Sequence, residues 1–243
     1  MQYTTLICAI IALFPYTTVL SHFLNIRNNC PYTVWPAIWG QGYIPKSGGW
    51  RMNPGQSERI DVPYKWTAGR VWGRTNCNEQ TGRCETGDCG RGIQCNGATA
   101  RAVTLAEITF DGWGNLNNYD ISLVDGYNIP VSMKPTPGTY SRQPGVANSC
   151  TTGACLNHRV LTECPQELRI PGICQSACER YNTDQYCCRG QWNNPNTCPG
   201  ASLNRHFKDR CPAAYSYAYD DANGALLTCP ASGNSGFDIT FCG

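Results

Sequence analysis

The stretch Gly82–Cys95 has the sequence GRCETGDCGRGIQC, in which glycines separate closely spaced cysteines. With Cys77 just before it, the stretch holds Cys84, Cys89 and Cys95, and it interrupts a series of short strand-like segments. Spacings such as Cys-x4-Cys also occur in zinc sites, but in an oxidising compartment bridges are the expected state. We therefore predict a small excursion from the main fold that disulfide bonds hold in place.

The number of cysteines indicates a fully oxidised framework. Of the 17 cysteines, all but Cys8 lie between Cys30 and Cys242. Leaving Cys8 aside makes the number even, as complete pairing requires. Disulfides persist outside the reducing cytosol, so this usage predicts an extracellular protein in which every remaining cysteine is bridged.

The first residues have the pattern of a secretory leader. Residues 1–21 contain no Lys, Arg, Asp or Glu, and Leu6–Phe14 is an apolar run too short to span a bilayer. Small residues near Ser21 suit cleavage before His22, which makes 1–21 a signal peptide and the protein secreted. The alternative is that this run forms a buried first strand or helix.

The charge, the histidine positions and the motifs of the chain argue against several classes of function. The net charge is +2 and charged residues are 15% of the chain, which is not the basic footprint of a nucleic-acid-binding protein. The histidines His22, His158 and His206 show no metal-ligand spacing, and no phosphate-binding loop is present. The sequence therefore indicates no cofactor, no metal and no nucleic-acid partner.

Periodicity predicts a mainly β protein. Gly, Pro and Asn clusters separate the segments that alternate apolar and polar residues. The predicted strands are His22–Asn28, Val34–Trp39, Arg59–Val62, Arg70–Arg74, Thr104–Phe110, Tyr119–Val124, Ala214–Tyr219 and Phe237–Phe241. Pro36 indicates an edge or a bulge in its strand. The best helix candidate is Ile173–Tyr181, after Pro171-Gly172. Many short strands at this spacing favour a β-sandwich.

The Gly82–Cys95 stretch resembles the signature of the thaumatin-like proteins, with Gln80 in place of the leading Gly of that signature. The resemblance continues in Trp72–Cys77, Thr104–Glu107, Tyr119–Pro130, Phe207–Pro212 and Ala214–Tyr217. It covers residues 22–243, with all the cysteines after the leader in the family's order. The chain is thus identified as similar to pathogenesis-related proteins of the osmotin and thaumatin type.

The resemblance implies a flattened antiparallel β-sandwich with two disulfide-rich loop lobes and little helix. The sandwich is expected from residues 22–74, 109–156 and 212–243. A small disulfide-tied lobe is expected over 75–108, and a disulfide-rich lobe with a short helix over 157–211. A cleft is expected between the sandwich and this second, larger lobe.

The family also implies the disulfide pairing. The residues themselves support local pairs where the spacing is short, and they disfavour a bridge between the adjacent Cys187 and Cys188. The implied bridges are Cys30–Cys242, Cys77–Cys84, Cys89–Cys95, Cys150–Cys229, Cys155–Cys211, Cys164–Cys174, Cys178–Cys187 and Cys188–Cys198.

Antifungal members of the family line the cleft with one arginine, one glutamate and three aspartates. By motif these are Arg70, Glu107, Asp120, Asp125 and Asp220. Arg74 and Asp221 lie close to two of them and leave both assignments open. Alternation places Ala106, Ile108 and Phe110 on one face of their strand and Glu107 on the other. The residues do not show that Asp120 and Asp125 share a face, although the turn signal Asp125-Gly126 can redirect Asp125.

Clustered carboxylates support two kinds of chemistry. They can bind a sugar or a basic partner, or one of them can act as a general acid with a raised pKa. The resemblance favours a defence protein that binds cell-wall β-1,3-glucan. The alternatives are an endo-β-1,3-glucanase that uses Glu107 and Asp125, and a protein that acts on microbial membranes or surface proteins. Tyr119, Tyr127 and Tyr181 are candidates to pack against sugar rings. We expect a monomer.

Overall fold

The computed structural model of the protein describes residues 21–90, 92–97, 101–146, 149–198 and 202–243. The predicted signal peptide lies outside these ranges except for Ser21. The strands are β1 Ser21–Asn28, β2 Trp35–Gln41, β3 Ser57–Pro63, β4 Thr67–Arg74, β5 Leu105–Gly112, β6 Leu116–Ser122, β7 Gly126–Tyr127, β8 Val131–Pro135, β9 Gly153–Cys155, β10 Arg169–Ile170, β11 Ile173–Gln175, β12 Leu227–Pro230 and β13 Gly236–Phe241.

The helices in these ranges are short: α1 Arg159–Thr162, α2 Ala177–Tyr181, α3 Asp184–Cys187 and α4 Arg205–Arg210. Turns of 3-10 helix lie at Pro45–Gly48, Trp113–Asn115, Gln166–Leu168, Gly190–Trp192, Ser202–Asn204 and Asp221–Asn223. Within the described part of the chain, no helix is both long enough and apolar enough to cross a membrane.

Two sheets of five strands form a sandwich. The first has the order β3-β1-β13-β8-β9 and the second β12-β6-β5-β4-β2, while β10-β11-β7 form a small third sheet. Alternate residues of the two large sheets, among them Leu24, Phe237, Val71, Ala106 and Ile121, are buried in one core. The predicted mainly β sandwich is confirmed. Strand β2 lies at a sheet edge and is irregular after Trp39, as its proline indicated.

One pair departs from the antiparallel arrangement. Strands β1 and β13 run parallel, with Leu24 opposite Phe237. The strands from the two ends of the described chain therefore lie side by side at the centre of the first sheet. The Cys30–Cys242 bridge joins the residues that follow them.

The predicted helix Ile173–Tyr181 is wrong in part. Ile173–Gln175 is strand rather than helix because Cys174 and Gln175 pair with β7. The helix begins only after Ser176, whose hydroxyl accepts a hydrogen bond from the Glu179 N–H, as an N-cap does.

The predicted strand Ala214–Tyr219 is absent. Only Tyr215 forms a bridge, to Ser122, and the next residues turn away because Ser216 is bound by the Asp220 carboxylate. Residues 105–108, assigned above to the small lobe, belong to β5 and pair with β4 and β6.

Eight disulfides connect the described residues in the pairs that the resemblance implied. They are Cys30–Cys242, Cys77–Cys84, Cys89–Cys95, Cys150–Cys229, Cys155–Cys211, Cys164–Cys174, Cys178–Cys187 and Cys188–Cys198. The family supplied the pairing of distant cysteines, which spacing alone left open.

Candidate functional site

Four side chains form one row across neighbouring strands of the second sheet. Trp39 of β2 lies opposite Arg70 of β4, Arg70 lies opposite Glu107 of β5, and Glu107 lies opposite Asp120 of β6. Residues directly opposite each other project from the same face of a sheet. Because the adjacent Ala106 points into the core, this row, the acidic row below, lies on the outer face.

Arg70 and Glu107 form the central contact of the acidic row. The Arg70 Nε lies 2.9 Å from the Glu107 Oε1, and 35% and 26% of the two side chains are exposed. Burial raises the pKa of Glu107, and the Arg70 guanidinium opposes this rise. Asp125 raises the same pKa further, while a hydrogen bond from the Ser122 hydroxyl lowers it. Glu107 is therefore a carboxyl that keeps its proton to higher pH than an ordinary glutamate.

Asp120 is the second carboxylate of the acidic row. Its Oδ1 atom is buried without a hydrogen-bond partner among the described residues. Burial raises its pKa well above the usual range, and Glu107 adds to that rise, while Arg70 opposes it. Glu107 and Asp120 lie side by side in a partly buried site, where like charges disfavour ionisation, so the Asp120 carboxyl keeps its proton to higher pH than an ordinary aspartate.

Asp125 lies in the turn that connects the second sheet to the large lobe. Its carbonyl accepts a hydrogen bond of 3.3 Å from the Ser176 N–H at the start of α2. Burial raises the pKa of the Asp125 carboxyl, and Arg70 opposes the rise. Since Arg70 and Glu107 both interact electrostatically with Asp125, the turn brings this carboxylate to the acidic row, which the sequence did not show.

A further carboxylate was not predicted. Glu179 lies in the first turn of α2, where burial raises its pKa, Arg101 opposes the rise at 3.9 Å, and Asp125 adds to it. Asp125 of the turn and Glu179 of the large lobe therefore interact electrostatically. The spacing Ser176-x-x-Glu179 is that of a capping box. This motif is the signal in the sequence that could have placed Glu179 in the first turn of a helix.

The structure gives Arg70 and Arg74 different surroundings. The Arg74 side chain is fully buried, and its guanidinium donates to four backbone carbonyls, those of Trp35, Pro36, Gly92 and Ile93. Burial lowers its pKa to about 10, and Asp88 partly offsets this. Arg74 therefore connects the small lobe to β2 through hydrogen bonds, and Arg70 is the arginine that contacts the carboxylates.

Asp220 does not have the surroundings of a cleft residue. Its side chain is 1% exposed and lies 3.1 Å from the Lys208 Nζ. The carboxylate also accepts hydrogen bonds from the N–H and hydroxyl of Ser216 and from the Asn223 amide. The neighbouring Asp221 is exposed and raises the pKa of Asp120. Asp221 is thus the residue of this pair that interacts electrostatically with Asp120.

We expect Asp220→Asn to lower the free energy of unfolding by about 3 kcal/mol, because it leaves the Lys208 charge unpaired and breaks a hydrogen-bonded turn. Asp221→Asn, at an exposed site, should change it by less than about 0.5 kcal/mol. Urea unfolding of both variants with intact disulfides measures this. Equal losses would contradict the separate roles of the two residues.

The aromatic candidates are only partly correct. Tyr119 and Tyr127 are buried and cannot meet a sugar ring, since both rings belong to the core. Tyr181 is 41% exposed, and its ring centroid lies 5.2 Å from that of Tyr186 on the large lobe. Trp39, half-buried beside Arg70, is an aromatic neighbour of the carboxylates that the sequence did not single out.

Two histidines have structural contacts. His22 is buried, with Nε2 2.5 Å from the Asp111 Oδ2 and Nδ1 accepting from the Ser235 N–H. His206 lies near Cys164 and Cys174, but a disulfide joins those two sulfurs and removes their capacity as thiolate ligands.

Residues 28–243 match the model of the thaumatin family. Over 233 residues the chain is 43% identical to pathogenesis-related protein 5 of Arabidopsis thaliana, covering 92% of this chain and 91% of the relative. It is 40% identical to a Zea mays protein named alpha-amylase/trypsin inhibitor, covering 90% of this chain and 98% of the relative.

The fold is similar to that of a solved structure, the GH family 64 laminaripentaose-producing β-1,3-glucanase from Paenibacillus barengoltzii. The TM-score is 0.50 at 15% identity, covering 92% of this chain and 75% of that one. This likeness concerns the fold alone. The family model and the relatives, together with the signature, the sandwich and the eight bridges, show that this chain belongs to the thaumatin family.

Proposed function

We propose that the protein is a secreted, antifungal defence protein whose acidic cleft binds β-1,3-glucan of cell walls. The observation that carries this proposal is the acidic row of Trp39, Arg70, Glu107 and Asp120 on one outer sheet face. Asp125, Asp221 and Glu179 add carboxylates around it. A glucan offers many hydroxyl groups, which donate to carboxylates and accept from a guanidinium.

The arrangement suits a neutral sugar better than a cation. Arg70 lies inside the carboxylate cluster and supplies hydrogen-bond donors, while the carboxyl oxygens supply acceptors, and burial raises the pKa values of Glu107 and Asp120, so the site has both donors and acceptors. Trp39 supplies an aromatic side chain at one end of the row. Sites with a few convergent polar groups beside an aromatic ring are typical of small-molecule recognition.

The proposal is tested with a variant that combines Glu107→Gln, Asp120→Asn, Asp125→Asn and Asp221→Asn. We expect its affinity for soluble β-1,3-glucan, measured by calorimetry, to fall at least about tenfold, because several charge-assisted hydrogen bonds are lost. The matched control neutralises four carboxylates elsewhere, Glu58, Asp61, Glu163 and Asp184. Unchanged affinity in the cleft variant, with its melting temperature retained, would refute cleft-based binding.

A second candidate function is endo-β-1,3-glucan hydrolysis. It is favoured by the raised pKa of Glu107, which burial raises most and the Asp125 carboxylate raises further. In this role Glu107 protonates the glycosidic oxygen as the general acid, and Asp125 acts as the second carboxylate, which attacks the sugar or activates water. Binding and hydrolysis use the same carboxylates, so they differ only in whether products form.

A third candidate is an interaction protein without carbohydrate activity, acting on a microbial membrane or a surface protein. A relative named as an inhibitor of alpha-amylase and trypsin motivates this candidate. The same calorimetry discriminates it from the others, since a protein without carbohydrate activity should show no affinity for β-1,3-glucan even as the wild type.

A further inference from the structure

The outer face of the second sheet continues beyond the acidic row. One step further along the strands, Thr109 of β5 lies opposite Asn118 of β6, and both side chains are partly exposed. The Ala68 N–H donates to the Thr109 hydroxyl, so β4 contributes its backbone to this second row. Thr109 and Asn118 are uncharged and can exchange hydrogen bonds with hydroxyl groups.

The same two strands end in a hairpin that exposes a tryptophan. Trp113 is 93% exposed, far more than any other large apolar side chain in the described residues. It lies between β5 and β6, and Gly114 beside it has a φ of 71°, a conformation that favours glycine. Tryptophan is among the most buried residue types on average, so an indole held almost wholly in water is unusual.

Strand β5 sets the position of Trp113 relative to the acidic row. Glu107 and Trp113 are six residues apart along β5 and its turn, so their separation is at most roughly 20 Å, the length of a straight strand, because the register shifts between Thr109 and Gly112. Gly112 lets the Asn118 side chain pack closely against the backbone before the turn, because a Cβ there would lie 2.6 Å from the Asn118 amide nitrogen. The Thr109 and Asn118 pair therefore lies along the strands between the carboxylates and the hairpin that carries the exposed Trp113 ring.

We propose that Trp113 is a binding residue at the far end of an extended sugar-binding track. The track consists of the acidic row, the Thr109 and Asn118 pair, and the Trp113 indole. This inference rests on the proposed function and specifies its ligand as a neutral β-glucan long enough to cover the whole track. A short oligosaccharide held at the acidic row does not reach Trp113.

The test compares two ligand lengths. Affinities for polymeric β-1,3-glucan and for its trisaccharide are measured for the wild type, Trp113→Ala and Tyr32→Ala. Tyr32 is 43% exposed and lies beside Cys242, near the opposite end of the sandwich, which makes it a matched aromatic control. Because Trp113 makes almost no packing contacts, Trp113→Ala should keep the wild-type melting temperature.

We expect Trp113→Ala to weaken polymer binding about tenfold, as loss of a tryptophan anchor does, and to change trisaccharide binding less than about twofold. Trp113→Phe should restore most of the polymer affinity, and Tyr32→Ala should change neither value. Wild-type polymer affinity in Trp113→Ala would overturn the track and leave cleft binding intact. Absence of binding to both ligands by the wild type would instead overturn the proposed function and the track with it.

Discussion

Replacing Cys30 and Cys242 together by serine is expected to lower the free energy of unfolding by about 5 kcal/mol. The bridge spans 212 residues and connects the ends of two central strands, so its removal restores more freedom to the unfolded chain than removal of any other bridge among the described residues. Chemical unfolding at equilibrium measures the difference. Thermal unfolding should show the same order of stability, with a higher melting temperature for the wild type than for the variant that lacks this bridge.

A matched control for this bridge is the pair Cys77→Ser and Cys84→Ser. That bridge spans only 7 residues, so the same chain-entropy relation gives a loss of about 2 kcal/mol. Losses of similar size for the long and the short bridge would show that chain entropy does not explain how the disulfides stabilise this fold.

The second large effect concerns catalysis at the acidic row. If the protein hydrolyses β-1,3-glucan, Glu107→Gln should reduce the release of reducing ends about 1000-fold, which is a typical contribution of a general acid to the reaction rate. Glucan affinity should remain within a few fold, because the acid acts mainly in the transition state. Loss of binding and hydrolysis to the same degree would assign Glu107 to binding alone.

The pH dependence gives an independent measure of the same role. Glu107 must be protonated to donate, and its pKa is raised chiefly by burial. Hydrolysis should therefore persist above the ordinary glutamate pKa of about 4.3 and decline as pH rises through the raised value. Asp61→Asn, at an exposed site on the other sheet, should leave this profile unchanged, whereas Arg70→Ala should move the decline to higher pH, since Arg70 lowers the pKa of Glu107.

Local sequence determined much of the fold. The alternation of apolar and polar residues around Glu107 and Ile121 indicates which residues face the core, since side chains point to opposite faces in turn along any strand. The closely spaced cysteines marked the lobes, and the Gly82–Cys95 signature indicated the family, which in turn supplied the long-range pairing. The strand predicted over Ala214–Tyr219 is absent because aromatic alternation cannot show that Asp220 draws Ser216 into a turn.

Only the tertiary structure decided which charged residues meet. Arg70 lies opposite Glu107 while Arg74 is buried against the small lobe, a distinction that depends on strand register and on contacts with residues far along the chain. Burial likewise separates Asp220 from Asp221, which are adjacent in sequence and identical in type. Sequence determined the kinds of residues available and their local faces. The structure decided their partners, because register, burial and electrostatic coupling arise between segments that are distant in the chain.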